Sequence, residues 1–98
     1  MANLIVTYWR DIPSQISVKI GRKEEKRMLS ERFQEAIDMA AMRDGASETD
    51  AYLAEWRRAE PVSVGDDLTA EAEAARERFE AAYDKDRLKA LIAKGGRE

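Results

Sequence analysis

The sequence predicts an α+β fold in which an N-terminal β-hairpin and a short third strand form a small antiparallel sheet, one face covered by three to four helices. Three observations lead there. Asn3–Trp9 is dense in β-branched and aromatic residues, Gln15–Ile20 alternates apolar with polar, and most of the remaining chain carries apolar residues at helical spacing. With 98 residues, the chain has the length of one domain, expected to span residues 1–98.

Strand one should run from Asn3 to Trp9, because its side chains suit a pleated, half-buried surface. Arg10–Ser14 is expected to turn the chain, since Pro13 fixes its own φ and lacks an amide donor. Ile16, Val18 and Ile20 then share one side of a second strand, with Ser17 and Lys19 on the other, and Gly21 ends it. A helix is expected from about Lys23 to Arg43. Leu29, Phe33, Ala36, Ile37 and Ala40 form its apolar stripe, while Met28, Met39 and Met42 lie on the far side. Asp44-Gly45 stops it.

Ser47 and Asp50 resemble a capping pair for a short helix with Tyr52, Leu53 and Trp56 on one face, ended by Glu60-Pro61. Val62–Val64 is the short third strand. Asp66-Asp67 suit the start of another helix, striped by Leu68, Ala72, Ala75, Phe79, Ala82 and Tyr83. Leu88, Leu91 and Ile92 fall off that stripe, so a break is expected at Asp84–Asp86, with Asp86 capping a final helix. Gly95-Gly96 ends it, and Arg97-Glu98 is expected to fray.

The chain contains no histidine and no cysteine. That removes the usual nucleophile and base pairings, thiolate sites and the commonest zinc ligand. No Gly-rich phosphate loop, nucleophile elbow or dinucleotide fingerprint takes their place. The expectation is a protein that is not an enzyme, with no catalytic residues, no cofactor and no metal. Asp66, Asp67, Glu71 and Glu73 lack the spacing of a calcium loop, and helix capping accounts for the first two. No apolar run approaches membrane-spanning length, and the N-terminus lacks signal-peptide features. The protein is expected to be cytoplasmic, without a membrane partner. A net charge of −3 argues against nucleic acid.

Two clusters stand out. Lys19, Arg22, Lys23, Lys26 and Arg27 gather where the second strand meets the expected helix. Cations oppose the dipole at a helix N-terminus, while its free N–H groups favour an anion, so an anion or nucleotide ligand would resolve the conflict. Pairing with Glu24, Glu25 and Glu31 along a solvated helix is the plainer account. The second cluster is Tyr8-Trp9-Arg10. Neighbouring strand residues point to opposite faces, so one aromatic should be presented outward, and Trp, Tyr and Arg dominate binding hot spots. An edge strand and the helix methionines could also pair two copies as a homodimer.

Three blocks carry a family signal: Tyr8–Pro13 (YWRDIP), Leu29–Asp38 (LSERFQEAID) and Ala51–Trp56 (AYLAEW). Together they resemble the bacterial "virulence factor" domain family, small proteins similar to the C-terminal module of longer conserved virulence factors, over Asn3 to Lys94. The resemblance supplies no catalytic residue. Longer members combine the module with scaffold-like helical segments, which implies contact with a protein partner. A genomic association with one-carbon or corrinoid methyl transfer would instead imply an accessory subunit. The family blocks add Asp11 and Arg32 to the expected interaction residues Tyr8, Trp9 and Arg10. Arg10, Asp11 and Arg32 are expected together at the exposed end of the sheet.

Overall fold

The β-branched run at the N-terminus does pair with the alternating run that follows. The computed structural model describes all residues except 46 and 47, so the expected cap Ser47 lies outside the described residues. Among those described, β1 (Ala2–Trp9), β2 (Ile12–Ile20) and β3 (Lys23–Met28) are followed by α1 (Glu31–Arg43) and α2 (Thr49–Ala54). Then come β4 (Trp56–Arg58), β5 (Val62–Val64), α3 (Leu68–Ala82) and α4 (Lys85–Ala93). The sheet is antiparallel in the order β3-β2-β1-β4, with β5 pairing with β1 as well. β4 meets β1 at Thr7–Trp9 and β5 meets it at Ala2–Leu4, so the two short strands share one edge.

The register sets Leu4 opposite Val18 and Val6 opposite Ile16, and all four are buried. Helix α3 lies against β1, β2 and β3, bringing Ala72 and Ala75 into the core. These small side chains let the helix approach the sheet closely. The alternate positions Asn3, Lys19, Glu24 and Lys26 are polar and exposed, as period-two alternation requires of an open face. Helices α1 and α4 pack together, with Phe33, Ala36, Ile37 and Ala40 buried on α1 and Leu88 and Leu91 on α4. Met39 and Met42 are exposed. No described helix is long and apolar enough to cross a membrane.

The fold class stands, but several boundaries are corrected. Lys23–Met28 is a strand, and α1 begins only at Glu31. Lys, Glu, Arg and Met are good helix formers, yet this run has no apolar stripe to bury. It pairs instead with β2 from Ile20–Lys23 to Gln15–Met28, turning through Gly21 at φ 56°. A charged run of this kind is also what keeps an exposed sheet edge from pairing with other chains. Trp56–Arg58 is likewise a strand; α2 ends at Ala54, leaving Leu53 exposed.

The first turn is tighter than expected. Only Arg10 and Asp11 separate β1 from β2. Pro13 is accommodated in the strand beside an irregularity between Thr7 and Tyr8, a tolerated place for a residue without a donor. The final helix is capped by Asp84, which accepts from the Arg87 N–H at 2.9 Å, and not by Asp86. Ala82 faces solvent.

Segment 95–98 is tied down. Asp11 N–H donates to the Gly96 carbonyl at 2.8 Å, and Glu98 N–H donates to Asp11 Oδ2 at 2.7 Å. Gly96 has φ 90°, and a β-carbon there would stand 2.9 Å from Trp9 Cζ3. Gly96→Ala should therefore cost about 1–3 kcal/mol in overpacking beyond its backbone strain. Gly45→Ala supplies the control, because Gly45 has φ 69° with open space around it. Urea unfolding of the two variants separates the terms, and equal losses would show that the approach to Trp9 costs nothing.

Candidate functional site

Alternation along β1 sends Tyr8 and Trp9 to different sides, and the structure decides between them. Trp9 is 0% exposed. Its Nε1–H donates to the Tyr52 carbonyl at 2.9 Å, its ring lies 5.9 Å from that of Tyr52, and Gly96 closes over it. Arg10 is only 8% exposed despite its place in a turn. It holds a left-handed backbone, φ 54°, which turns its side chain into the protein. The guanidinium donates to Asp44 and to the Gly95 carbonyl at 2.7 Å, lies 3.3 Å from Glu55 and stacks over Trp9. These two residues form an interior brace, so the expected surface patch does not include them.

Asp11 is partly exposed and accepts from Arg57 Nη2 at 3.2 Å. Arg32 is partly buried, and its partners are the Glu80 carboxylate, at 3.0 Å, and the Glu80 and Tyr83 carbonyls. Arg10 and Asp11 are joined through Arg57, whose Nε–H also donates to the Arg10 carbonyl at 2.9 Å, whereas Arg32 has a separate set of partners.

The basic cluster is also dispersed. Arg22 lies in the β2–β3 turn, and Lys23, Lys26 and Arg27 lie on β3. Strand alternation sends Arg27 toward α3, where it bonds Glu73 and Glu25. Lys19 and Lys26 stay on the open face near Glu24, whose carboxyl is held below its ordinary value chiefly by the Ser17 hydroxyl. None of the five stands at a helix N-terminus. The anion at the start of α1 is internal: Glu80 accepts from the Ser30 N–H at 2.7 Å and the Ser30 hydroxyl at 2.8 Å.

The structure does assemble a polar site next to Tyr8. A depression of about 260 Å³ is bordered by Tyr8, Asp11, Arg57, Ala59, Tyr83 and Glu98. Arg57 is placed there by β4, where its register partner is Tyr8, and its guanidinium lies 4.5 Å above the Tyr8 ring. Arg87, on the first turn of α4, lies 3.8 Å above the Tyr83 ring and bonds Glu98 at 2.8 Å. Tyr8, Phe79 and Tyr83 continue inward as an aromatic chain, with Phe79 and Tyr83 stacked at 5.9 Å. The site thus couples a packed aromatic base to an exposed charged rim.

Of the expected interaction residues, Tyr8 and Asp11 belong here, and Arg57, Tyr83, Arg87 and Glu98 are additions. Tyr83 and Arg87 lie on either side of the break between α3 and α4, so their spacing carries no helical signal. The others come from distant segments and left no local signal.

Both phenols ionise above the ordinary value of 10.0. Burial is the main cause for each, opposed at Tyr8 by Arg57 and reinforced at Tyr83 by the neighbouring Tyr8 phenol. They are accordingly neutral donors at physiological pH. Residue-resolved NMR titration should place both above 10.0, with Tyr8→Phe lowering the Tyr83 value. The sign for stability follows: an acid whose folded value is raised contributes fully below 10.0 and loses that contribution as pH rises through the folded value. A Tyr83 titration indifferent to Tyr8→Phe would contradict the coupling.

Fold and site define a small α+β protein with an arginine-capped aromatic depression on its surface. The Virulence factor family model matches residues 7–92, and the chain belongs to that family. No curated protein and no solved structure matches it.

Proposed function

We propose that this chain is a non-enzymatic protein-recognition module of the Virulence factor family, with the Tyr8–Tyr83 depression at the centre of its contact surface. One observation carries the reading: two tyrosines on a packed aromatic base, each covered by the guanidinium of a partly exposed arginine, border a single concave site. Tyr and Arg are enriched among the residues that dominate binding energy. Cation–π stacking holds each guanidinium over its ring, which reduces the freedom lost when a partner docks.

The test is quantitative recovery of a partner from native extract. A stable partner should copurify with the unaltered chain and with Lys23→Glu, and be lost with the double variant Arg57→Ala, Arg87→Ala. Both arginines are well exposed, so the double variant should remain folded. Recovery of no stable partner, or equal recovery with the double variant, overturns the reading.

A further inference from the structure

The recognition site already holds two carboxylates, Asp11 beside Arg57 and Glu98 beside Arg87. Glu98 reaches Arg87 Nη2 with Oε1 at 2.8 Å, while its backbone N–H is held by Asp11. Resting on the protein-recognition reading, we propose that the Tyr8–Tyr83 depression is a carboxylate-binding site in which Glu98 is an internal occupant, exchanged for an acidic side chain of the partner protein.

Charge, donors and size agree on this ligand. Arg57 and Arg87 face Asp11 and Glu98, so the charges of these four side chains balance while the Glu98 carboxylate is in place. Moving the Glu98 carboxylate away leaves two guanidiniums against one carboxylate, a single excess positive charge. One carboxylate restores neutrality, whereas a phosphate dianion would overshoot beside Asp11. The two phenols stay protonated at physiological pH and supply neutral donors at the border of the same depression.

At about 260 Å³, the space falls below the usual range for cofactor pockets but suits one side chain. The exchange is also favourable in kind. Glu98 and Arg87 are both substantially exposed, and an ion pair in that setting holds its partner weakly. An incoming carboxylate that also touches the phenols gains contacts that Glu98 lacks: neither hydroxyl is hydrogen bonded among the described residues.

The experiment is an NMR titration of the full chain and of Glu98→Gln, read at the Tyr8 and Tyr83 rings and the Arg87 side chain. The probes are N-acetylglutamate α-amide, its glutamine analogue and inorganic phosphate. Removing the internal competitor should tighten the glutamate probe at least about fivefold, as expected when a competing state is withdrawn. The glutamine analogue and phosphate should bind more weakly than the glutamate probe. Arg87→Ala in the Glu98→Gln background should abolish the response, and Arg87→Lys, which keeps the charge, should retain part of it.

Equal affinity with and without the Glu98 carboxylate overturns the proposal, as does preference for phosphate or for the neutral analogue. Failure here is distinguishable from failure of the recognition reading. A partner released by Arg57→Ala, Arg87→Ala but indifferent to excess glutamate probe overturns the carboxylate assignment alone. A partner released by neither overturns both.

Discussion

Trp9→Ala should remove most of the protein's stability. The side chain is entirely buried, and truncating a tryptophan in that position typically costs about 3–5 kcal/mol. Domains of this size have about 5–15 kcal/mol in total. The loss has two parts, because the ring fills the space under Gly96 and its Nε1–H satisfies the Tyr52 carbonyl. Trp9→Phe keeps much of the packing and forfeits the hydrogen bond, so it should lie well short of the alanine variant. Chemical denaturation with a circular dichroism readout measures both. A Trp9→Ala midpoint close to that of the unaltered chain would show that the indole is not the keystone its burial indicates.

Arg10→Ala should come next, at about 2–4 kcal/mol, reduced from the cost of breaking a fully buried pair because Asp44 and Glu55 retain some solvent. The variant leaves the Gly95 carbonyl without its donor and opens the space over Trp9. Arg10→Lys preserves the charge without the fork that reaches Asp44, Glu55 and Gly95 together, so it should recover only part of the loss. Arg10→Gly relieves the left-handed backbone at φ 54° and should exceed Arg10→Ala in stability by about 1 kcal/mol. High salt separates this interior pairing from the rim: the Arg10→Ala loss should persist in 1 M salt, where the Debye length is about 3 Å. A loss that disappears in salt would assign Arg10 to the surface after all.

Trp9 and Arg10 both read as a recognition surface in the sequence. Tyr8-Trp9-Arg10 has hot-spot composition, and nothing local distinguishes an arginine at a turn that faces water from one that faces inward. The burial of Arg10 depends on Asp44, Glu55 and Gly95, three groups from three other parts of the chain. The stripe from Leu29 to Ala40 was legible because a helix brings residues three and four apart to one face. The Val62–Val64 strand and the interruption before α4 were legible for equally local reasons, β-branched alternation in one case and a broken stripe in the other.

Lys23–Met28 was not legible. Its residues favour a helix by intrinsic propensity, and pairing with β2 overrides a preference of a few tenths of a kcal/mol per residue. Read as a helix, that strand places the basic residues beside a helix start that they do not occupy. The physical requirement was sound: the start of α1 does take an anion, and Glu80 of α3 provides it. The arginine-capped depression was half visible, through Tyr8 and Asp11. Its other half depends on β4 lying against β1 and on segment 95–98 crossing the hairpin turn, neither of which has a short-range signature.

That crossing constrains the order of events during synthesis. The β1–β2 hairpin is synthesised well before segment 95–98, and the Arg10-to-Gly95 bond spans 85 residues. Until Gly95 and Gly96 emerge, the indole of Trp9 lacks its cover and the Arg10 guanidinium lacks one of its acceptors. The Trp9–Arg10 end of the hairpin therefore completes its packing only after that segment has been made. Locking at that end is a late step governed by long loop closure, even though the hairpin itself is among the earliest structures able to form.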